Sequence, residues 1–226
     1  MSKTNLKQKI IKLIYPVDCL ECGEEGEWLC SRCARKYRLL SLKRCFICNE
    51  SAKTGICNKC QRNNYIDGII SLLPYHQDAA FQLIYSAKYY GHHDAINFII
   101  SIFHHKILRL IPENFQYLTF TPSSVEKLKE RGYNPAELAA KALTDEDFEV
   151  IDVFKKIKET PSQTSLSKIK RRKNVKNAFR VQLKDLPDNL VIVDDVITTG
   201  ATLGELTRLA KKKGVKNIWI VTICHG

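Results

Sequence analysis

From residue 65 onward the apolar positions follow two rhythms that alternate along the chain. Residues 69–75 (IISLLPY), 117–121 (YLTFT), 150–154, 190–193 (LVIV) and 217–224 are short, nearly unbroken apolar runs, and each predicts a buried strand. A further short strand is predicted near 179–182. Residues 78–90, 94–109, 134–143 and 202–213 carry apolar side chains every three or four positions, which predicts helices, with one more short helix near 168–176. The polar, turn-rich stretch TPSQTSLSK (160–168) predicts a mobile loop. Unbroken strands joined through helices predict an α/β fold: a parallel sheet covered on both faces.

Before residue 65 the pattern is different, because large apolar residues are few and eight of the nine cysteines fall between 19 and 60. They form four CxxC pairs: Cys19/Cys22, Cys30/Cys33, Cys45/Cys48 and Cys57/Cys60. Two intervening residues allow a tight turn to aim both sulfurs at one ion, and two such turns complete a tetrahedral thiolate shell. Eight thiolates make two structural Zn²⁺ sites, grouped as neighbours or cross-braced; iron–sulfur centres and disulfides are the competing chemistries. Metal here replaces a core that the segment is too poor in apolar residues to build. The expected organisation is a double zinc ribbon with a short amino-terminal helix over residues 1–64, followed by an α/β domain over 65–226. Cys224 sits in an apolar run and reads as a core thiol.

Composition narrows the partners. With 226 residues and 44% hydrophobic content, a disordered tail or a fibre is excluded. The net charge of +12 asks for a polyanion, and it is unevenly spread: +7 over residues 1–62, −5 over 63–154 and +10 over 155–226. Residues 155–184 hold eleven basic side chains against one acid, Glu159. Lys168, Lys170, Arg171, Arg172, Lys173 and Lys176 are too dense to be a salt-bridged helix face, and they are candidate phosphate contacts for single-stranded DNA. Arg208, Lys211, Lys212, Lys213 and Lys216 form a second basic patch, and Arg32, Arg35, Lys36, Arg38, Lys43 and Arg44 a third; Tyr37, Phe46, Tyr65, Tyr89 and Tyr90 are either stacking platforms or core. No apolar run is long enough for a signal peptide or a membrane span, so the expected location is cytoplasmic. Leu6, Ile10, Leu13 and Ile14, at helical spacing with lysines between, either pack on the body or lie on the inner face of the membrane as a peripheral contact.

The chemistry concentrates in LVIVDDVITTGATLGEL (190–206). A buried strand delivers Asp194 and Asp195 to its carboxyl end, where open α/β sheets place ligands. Thr198, Thr199, Gly200, Ala201 and Thr202 then turn into a helix amino terminus, whose N–H groups and dipole suit a phosphate. Acids beside an anion site repel a bare phosphate but suit the hydroxyls of a phosphorylated ribose.

Four apolar residues, Asp-Asp, two apolar residues and Thr-Thr-Gly-x-Thr resemble the signature of type I phosphoribosyltransferases. That resemblance implies that Asp194 and Asp195 bind the ribose hydroxyls of phosphoribosyl pyrophosphate. It also implies that Thr198 to Thr202 wrap the 5-phosphate, and that Mg²⁺ is held mainly by the ligand. Thr198 stands where purine-salvage members carry an Asp, which argues against purine salvage. Thr121, Ser123, Ser124 and Arg131 fall at the pyrophosphate position, and Lys158 and Gln163 in the place of the closing flexible loop. The CxxC ribbons, LIYSAKYYGHHDAI (83–96, with Lys88 and Gly91), ERGYNPAELAA (130–140) and TPSQTSLSKIKRRKNVKNAF (160–179) together resemble the ComF family of natural competence. Pro135 and Asn177 depart from that family's usual Gln and Gly, and Lys156 and Lys158 from its arginines. The likeness implies a type I phosphoribosyltransferase fold behind zinc ribbons. It also implies a role in DNA uptake with single-stranded DNA and competence-machinery proteins as partners. The site is either catalytic on an unknown acceptor or a sensor of phosphoribosyl pyrophosphate. No catalytic base is identifiable: His76, His92, His93, His104 and His105 read as surface histidines.

Overall fold

The computed structural model describes residues 17–35, 44–74, 78–144, 147–158 and 175–225. The amino-terminal helix with Leu6, Ile10, Leu13 and Ile14, the residues Lys36, Tyr37, Arg38, Lys43 and His76, and the stretch holding Gln163, Lys168, Lys170, Arg171, Arg172 and Lys173 lie outside the described residues.

Five strands form one parallel sheet: β1 (Gly68–Pro74), β2 (Tyr117–Phe120), β3 (Glu149–Val150), β6 (Asn189–Ile197) and β7 (Asn217–His225), in the order β1-β7-β6-β2-β3. The central register sets Val193 beside Phe120 on one side and Val221 on the other. Leu190 to Val193 are wholly buried because the sheet is covered on both faces, as the unbroken apolar runs require. Successive side chains point to opposite faces. Val191 and Val193 therefore join one apolar cluster with Leu83, Ile84, Ile96, Ile99 and Ala139, whereas Leu190 and Ile192 join another with Leu203, Leu206, Ala210 and Phe179.

The first face is covered by α3 (Asp78–Tyr89), α4 (Asp94–Leu108) and α6 (Pro135–Ala142), and the second by α7 (Ala201–Lys212). The cysteine segment carries α1 (Ser31–Ala34) and α2 (Asn58–Asn64) and feeds both clusters: Cys19, Leu29 and Cys33 pack in the first, Cys45, Ile56 and Cys60 in the second. Thr207 Oγ1, wholly buried, donates to Asn64 O at 2.6 Å and ties α7 to α2.

Two elements depart from the pattern reading. Residues 150–154, read as one strand, divide. β3 stays at the sheet edge, while β4 (Phe154–Lys156) pairs antiparallel with β5 (Phe179–Val181) in a separate ribbon. The cause is a change of face: Val150 packs against the first cluster and Phe154 is buried in the second, so the chain must peel off the edge between them. The helix α5 (Val125–Arg131) has no counterpart in the apolar pattern, because it buries no residue and so has no period to display. Polar signals define it instead: the Ser124 side chain accepts from Lys127 N, and Gly132 closes it in the left-handed conformation (φ 78°).

Candidate phosphoribosyl site and four-cysteine groups

The carboxyl end of β6 carries the acid pair. Asp194 is buried, and its Oδ1 accepts from Asp195 N at 3.0 Å. Burial, reinforced by the charge of Asp195, pushes the Asp194 carboxyl up to about 8, although Lys88, the Asp195 N–H and the Thr121 hydroxyl all pull it down. Asp195 turns the other way, and its Oδ2 lies 2.7 Å from Lys88 Nζ. Burial alone would lower the Lys88 pKa, but Asp195, by charge and hydrogen bond, with Asp194 behind it, more than offsets this and the net shift is upward. Lys88 thus belongs to the site, which its place in the 83–96 stretch did not disclose. The signal was a lone lysine on the inward side of α3, between buried Ala87 and exposed Tyr89.

After β6 the chain turns through Thr198, Thr199 and Gly200 into α7, which begins at Ala201. Gly200 adopts φ 66°, and a Cβ there would meet nothing within 4 Å, so the glycine is required by backbone conformation rather than by space. No side chain caps this helix, and its first turn holds no acid, which leaves the amino terminus suited to an anion. Thr199 Oγ1 is buried without a hydrogen-bond partner, and the Thr121 hydroxyl on the neighbouring strand end acts on the Asp194 carboxyl. Thr121 N donates to Val193 O at 2.9 Å, which sets the 121–124 loop directly beside the acid pair.

Within that loop the serines are engaged. Ser124 is the cap of α5, and Ser123 Oγ donates to Asn134 Oδ1 at 3.0 Å. Asn134 also donates from Nδ2 to Thr121 O at 2.9 Å and caps α6 through Ala136 N, so it holds the loop in shape. Pro135, which replaces a family Gln, occupies the first turn of α6, where its missing N–H costs nothing. Arg131 lies 5.5 Å from the centroid of the Tyr89 ring, and its charge is felt by Lys88. Lys158 is exposed at the end of the β4–β5 ribbon. Asn177 adopts φ 59°, the left-handed region where the family's usual Gly is at ease, and its N–H donates to the buried Glu205 Oε1 at 3.1 Å. The hydrogen bonds of Arg208, ahead of the opposing cost of burial, hold the Glu205 carboxyl below its usual range.

The eight cysteines close into the two neighbouring groups, Cys19, Cys22, Cys30, Cys33 and Cys45, Cys48, Cys57, Cys60, each with its sulfurs within 4.8 Å of one another. Sulfurs on a tetrahedron about 2.3 Å from a zinc ion stand about 3.8 Å apart. Cys22–Cys30 at 3.7 Å and Cys48–Cys57 at 3.5 Å match that edge and are far from disulfide contact. Backbone N–H bonding, led by Cys60, draws the Cys57 thiol down to about 7, and Cys19 falls to about 6 despite the opposing effect of burial. The first group is anchored by Trp28 Nε1 donating to Asp94 Oδ2 at 3.1 Å. The second is anchored at Gly55, where a Cβ would sit 2.3 Å from Ile69 O. Cys224 is buried and its thiol is pushed up to about 12 by burial, as befits a core residue.

The second basic patch is largely neutralised. Arg208 pairs with Glu205, Lys211 with Asp67 at 3.7 Å and Lys216 with Asp188 at 2.8 Å, leaving Lys212 and Lys213 as its exposed members outside those pairs. Among the expected stacking platforms, Phe46 packs against the second cluster and His225, whereas Tyr65, Tyr89 and Tyr90 are exposed. His92 and His93 contact the rings of Trp28 and Tyr133, and His104 contacts His105. No helix among the described residues is long and apolar enough to cross a membrane.

The phosphoribosyl transferase domain family matches residues 125–226. Competence protein F of Haemophilus influenzae is 41% identical over 95 residues, covering 40% of this chain and 42% of that protein. The DNA utilization protein YhgH of Escherichia coli is 35% identical over 100 residues, 42% of this chain and 43% of that one. The aligned region thus spans less than half the length of these two relatives. Competence protein ComFC of Bacillus subtilis is 25% identical over 207 residues, 83% of this chain and 80% of its own length. A solved purine phosphoribosyltransferase from Pyrococcus horikoshii overlays 57% of this chain and 80% of its own with a TM-score of 0.31 at 23% identity, a likeness too slight to carry an argument. With a parallel sheet flanked by helices, an acid pair ahead of a threonine-rich turn and two four-cysteine groups, the chain is homologous to these competence and DNA-utilization proteins, and its residues 125–226 match the phosphoribosyl transferase domain family.

Proposed function

We propose that this chain serves DNA uptake by binding phosphoribosyl pyrophosphate at the carboxyl end of β6 and single-stranded DNA on its basic surface. One observation carries the first part: an acid pair, Asp194 buried and Asp195 half-buried, stands directly before an uncapped helix amino terminus that a left-handed glycine opens. In this reading Asp194 and Asp195 accept from the ribose 2- and 3-hydroxyls. The N–H groups of Thr199 to Thr202 and the threonine hydroxyls hold the 5-phosphate, for which the unpartnered Thr199 hydroxyl is available. Thr121 and Lys158 face the pyrophosphate. Lys88 neutralises Asp195 until ligand hydroxyls take over the carboxylate.

Hard carboxylate oxygens suit Mg²⁺, but Lys88 already occupies Asp195, so the ion fits best on the ligand's own oxygens, steadied from Asp194 through water. When bound, it supplies charge neutralisation for a departing pyrophosphate. The four-cysteine groups hold one zinc ion each as structural pins. The DNA part draws on the excess of basic residues over 155–184, of which Lys155, Lys158, Lys176, Arg180 and Lys184 are exposed, and on the names of the relatives.

Isothermal titration with phosphoribosyl pyrophosphate and Mg²⁺ tests the site. Wild type is expected to bind, and the Asp194→Ala/Asp195→Ala double variant to lose binding while keeping its DNA affinity. Unchanged ligand affinity in the double variant would sink the reading. A pyrophosphate-release assay with nucleobase, DNA-end and amine acceptors then separates catalysis from sensing.

A further inference from the structure

One exposed surface is left unused by the acid pair, the phosphate turn and the lysines. Phe81, Tyr85 and Tyr89 recur every four residues of α3, and Tyr90 follows, so one ring per turn stands on the same side of the helix. The rings form a chain of contacts: Phe81–Tyr85 stacked at 5.5 Å between centroids, Tyr85–Tyr89 at 4.6 Å and Tyr85–Tyr90 at 5.8 Å. His92 continues it, 6.5 Å from Tyr90 and 5.0 Å from Trp28, which is anchored beside the first four-cysteine group. Tyr89 is 64% exposed and Tyr90 67%, and Phe81 and Tyr85 are about 40% exposed. So much aromatic surface left in water is costly unless something covers it.

Three features say what covers it. Every exposed large apolar residue on the described part of α3 is aromatic, and three of the four rings with Tyr90 are tyrosines. Flat rings with polar rims suit bases, each of which has a π-face. A cation is built into the strip, since the Arg131 guanidinium lies over the Tyr89 ring, where it can meet a phosphate next to a stacked base. Finally, the strip ends at the candidate sugar-phosphate site. Lys88, the residue before Tyr89, points inward to Asp195, and the Tyr133 hydroxyl donates to Ala87 O, locking the end of α3 to the turn after Arg131.

We infer that the Phe81–Tyr85–Tyr89–Tyr90 strip is a stacking platform for unpaired nucleic-acid bases, with Arg131 on the adjoining phosphate, and that it leads the strand to the mouth of the phosphoribosyl site. This rests on the proposed single-stranded DNA binding and gives it a location on α3. The platform reads no sequence, because stacking is available to every base.

Fluorescence anisotropy of a labelled fifteen-nucleotide oligothymidylate, alongside an abasic phosphodiester of the same length, tests it on the full zinc-bound chain. Tyr85→Ala/Tyr90→Ala is expected to weaken oligothymidylate binding at least about fivefold and leave the salt dependence unchanged, because stacking releases no counterions. The abasic strand should bind wild type and variant alike. Tyr85→Phe/Tyr90→Phe should restore affinity, whereas Tyr85→Leu/Tyr90→Leu should not, and circular dichroism melting establishes that each variant is folded. Equal losses on the two strands, or none, overturn the platform while leaving DNA binding intact. A wild type that binds neither strand overturns the DNA reading as a whole. If the alanine variant changes only the sedimentation mass, the strip is an interface between copies of this chain and the inference is wrong.

Discussion

Replacing Asp194 by Asn should make the ligand-free protein progressively more stable than wild type as pH rises from 6 to 8. The carboxyl is buried, and its pKa rises from 3.8 to about 8 on folding, first through burial and then through Asp195. Because the native state holds this proton more tightly than the unfolded chain, the stability it contributes is present in full below pH 3.8. It is lost across the window up to about 8. Each unit in that window costs about 1.36 kcal/mol, and since the native carboxyl is half ionised near pH 8, the loss between pH 6 and 8 comes to about 2 kcal/mol. The substituted amide keeps an acceptor for the Asp195 N–H, which lies 3.0 Å from Oδ1 in wild type, yet cannot ionise. Urea titrations of both zinc-saturated proteins at pH 6, 7 and 8 measure the effect, and titrating groups that do not interact with Asp194 cancel in the difference. The stability difference between variant and wild type should grow by about 2 kcal/mol across the series. Parallel curves would mean that Asp194 is ionised throughout in the native state, and the account of a proton-holding acid pair would be refuted.

Three further outcomes are expected. Elemental analysis should count two zinc ions per chain, and Cys48→Ser should leave one; iron in their place, or thiols that titrate as disulfides, would contradict the four-cysteine assignment. Asn177→Gly should hold stability within about 0.5 kcal/mol while Asn177→Val loses about 1–2 kcal/mol by urea titration, because φ 59° admits glycine and penalises a β-branched residue; equal midpoints would refute this. Thr207→Val removes the buried hydroxyl that donates to Asn64 O and should cost about 1–3 kcal/mol, read from the same titration, with no loss of zinc; an unchanged midpoint would show that the bond between α2 and α7 is dispensable.

Much of the candidate site was legible because its chemistry is local. The acid pair, the threonines and Gly200 lie within a few residues of one another, and a strand–turn–helix needs no distant residue to place them. The cysteines are legible for the same reason: CxxC spacing is a property of one turn, although only the folded chain chose neighbouring over cross-braced groups. Buried strands announced themselves through unbroken apolar runs. The helix α5 did not, since an element with nothing buried leaves no period.

What the tertiary structure alone decided are the pairings between distant segments. Lys88 became the partner of Asp195 because α3 packs over the carboxyl edge of the sheet. Lys211 and Lys216 looked like part of a basic track until folding brought Asp67, just before β1, and Asp188, just before β6, against them. Tyr85, Tyr89 and Tyr90 are periodic in the sequence, but periodic aromatics usually face a core, and only packing showed that Leu83, Ile84 and Ala87 take the core side of α3. Sequence determines a local interaction whose partners lie within one turn. Charge partners and exposed faces depend on which side of each element the sheet covers, a global property that no single segment encodes.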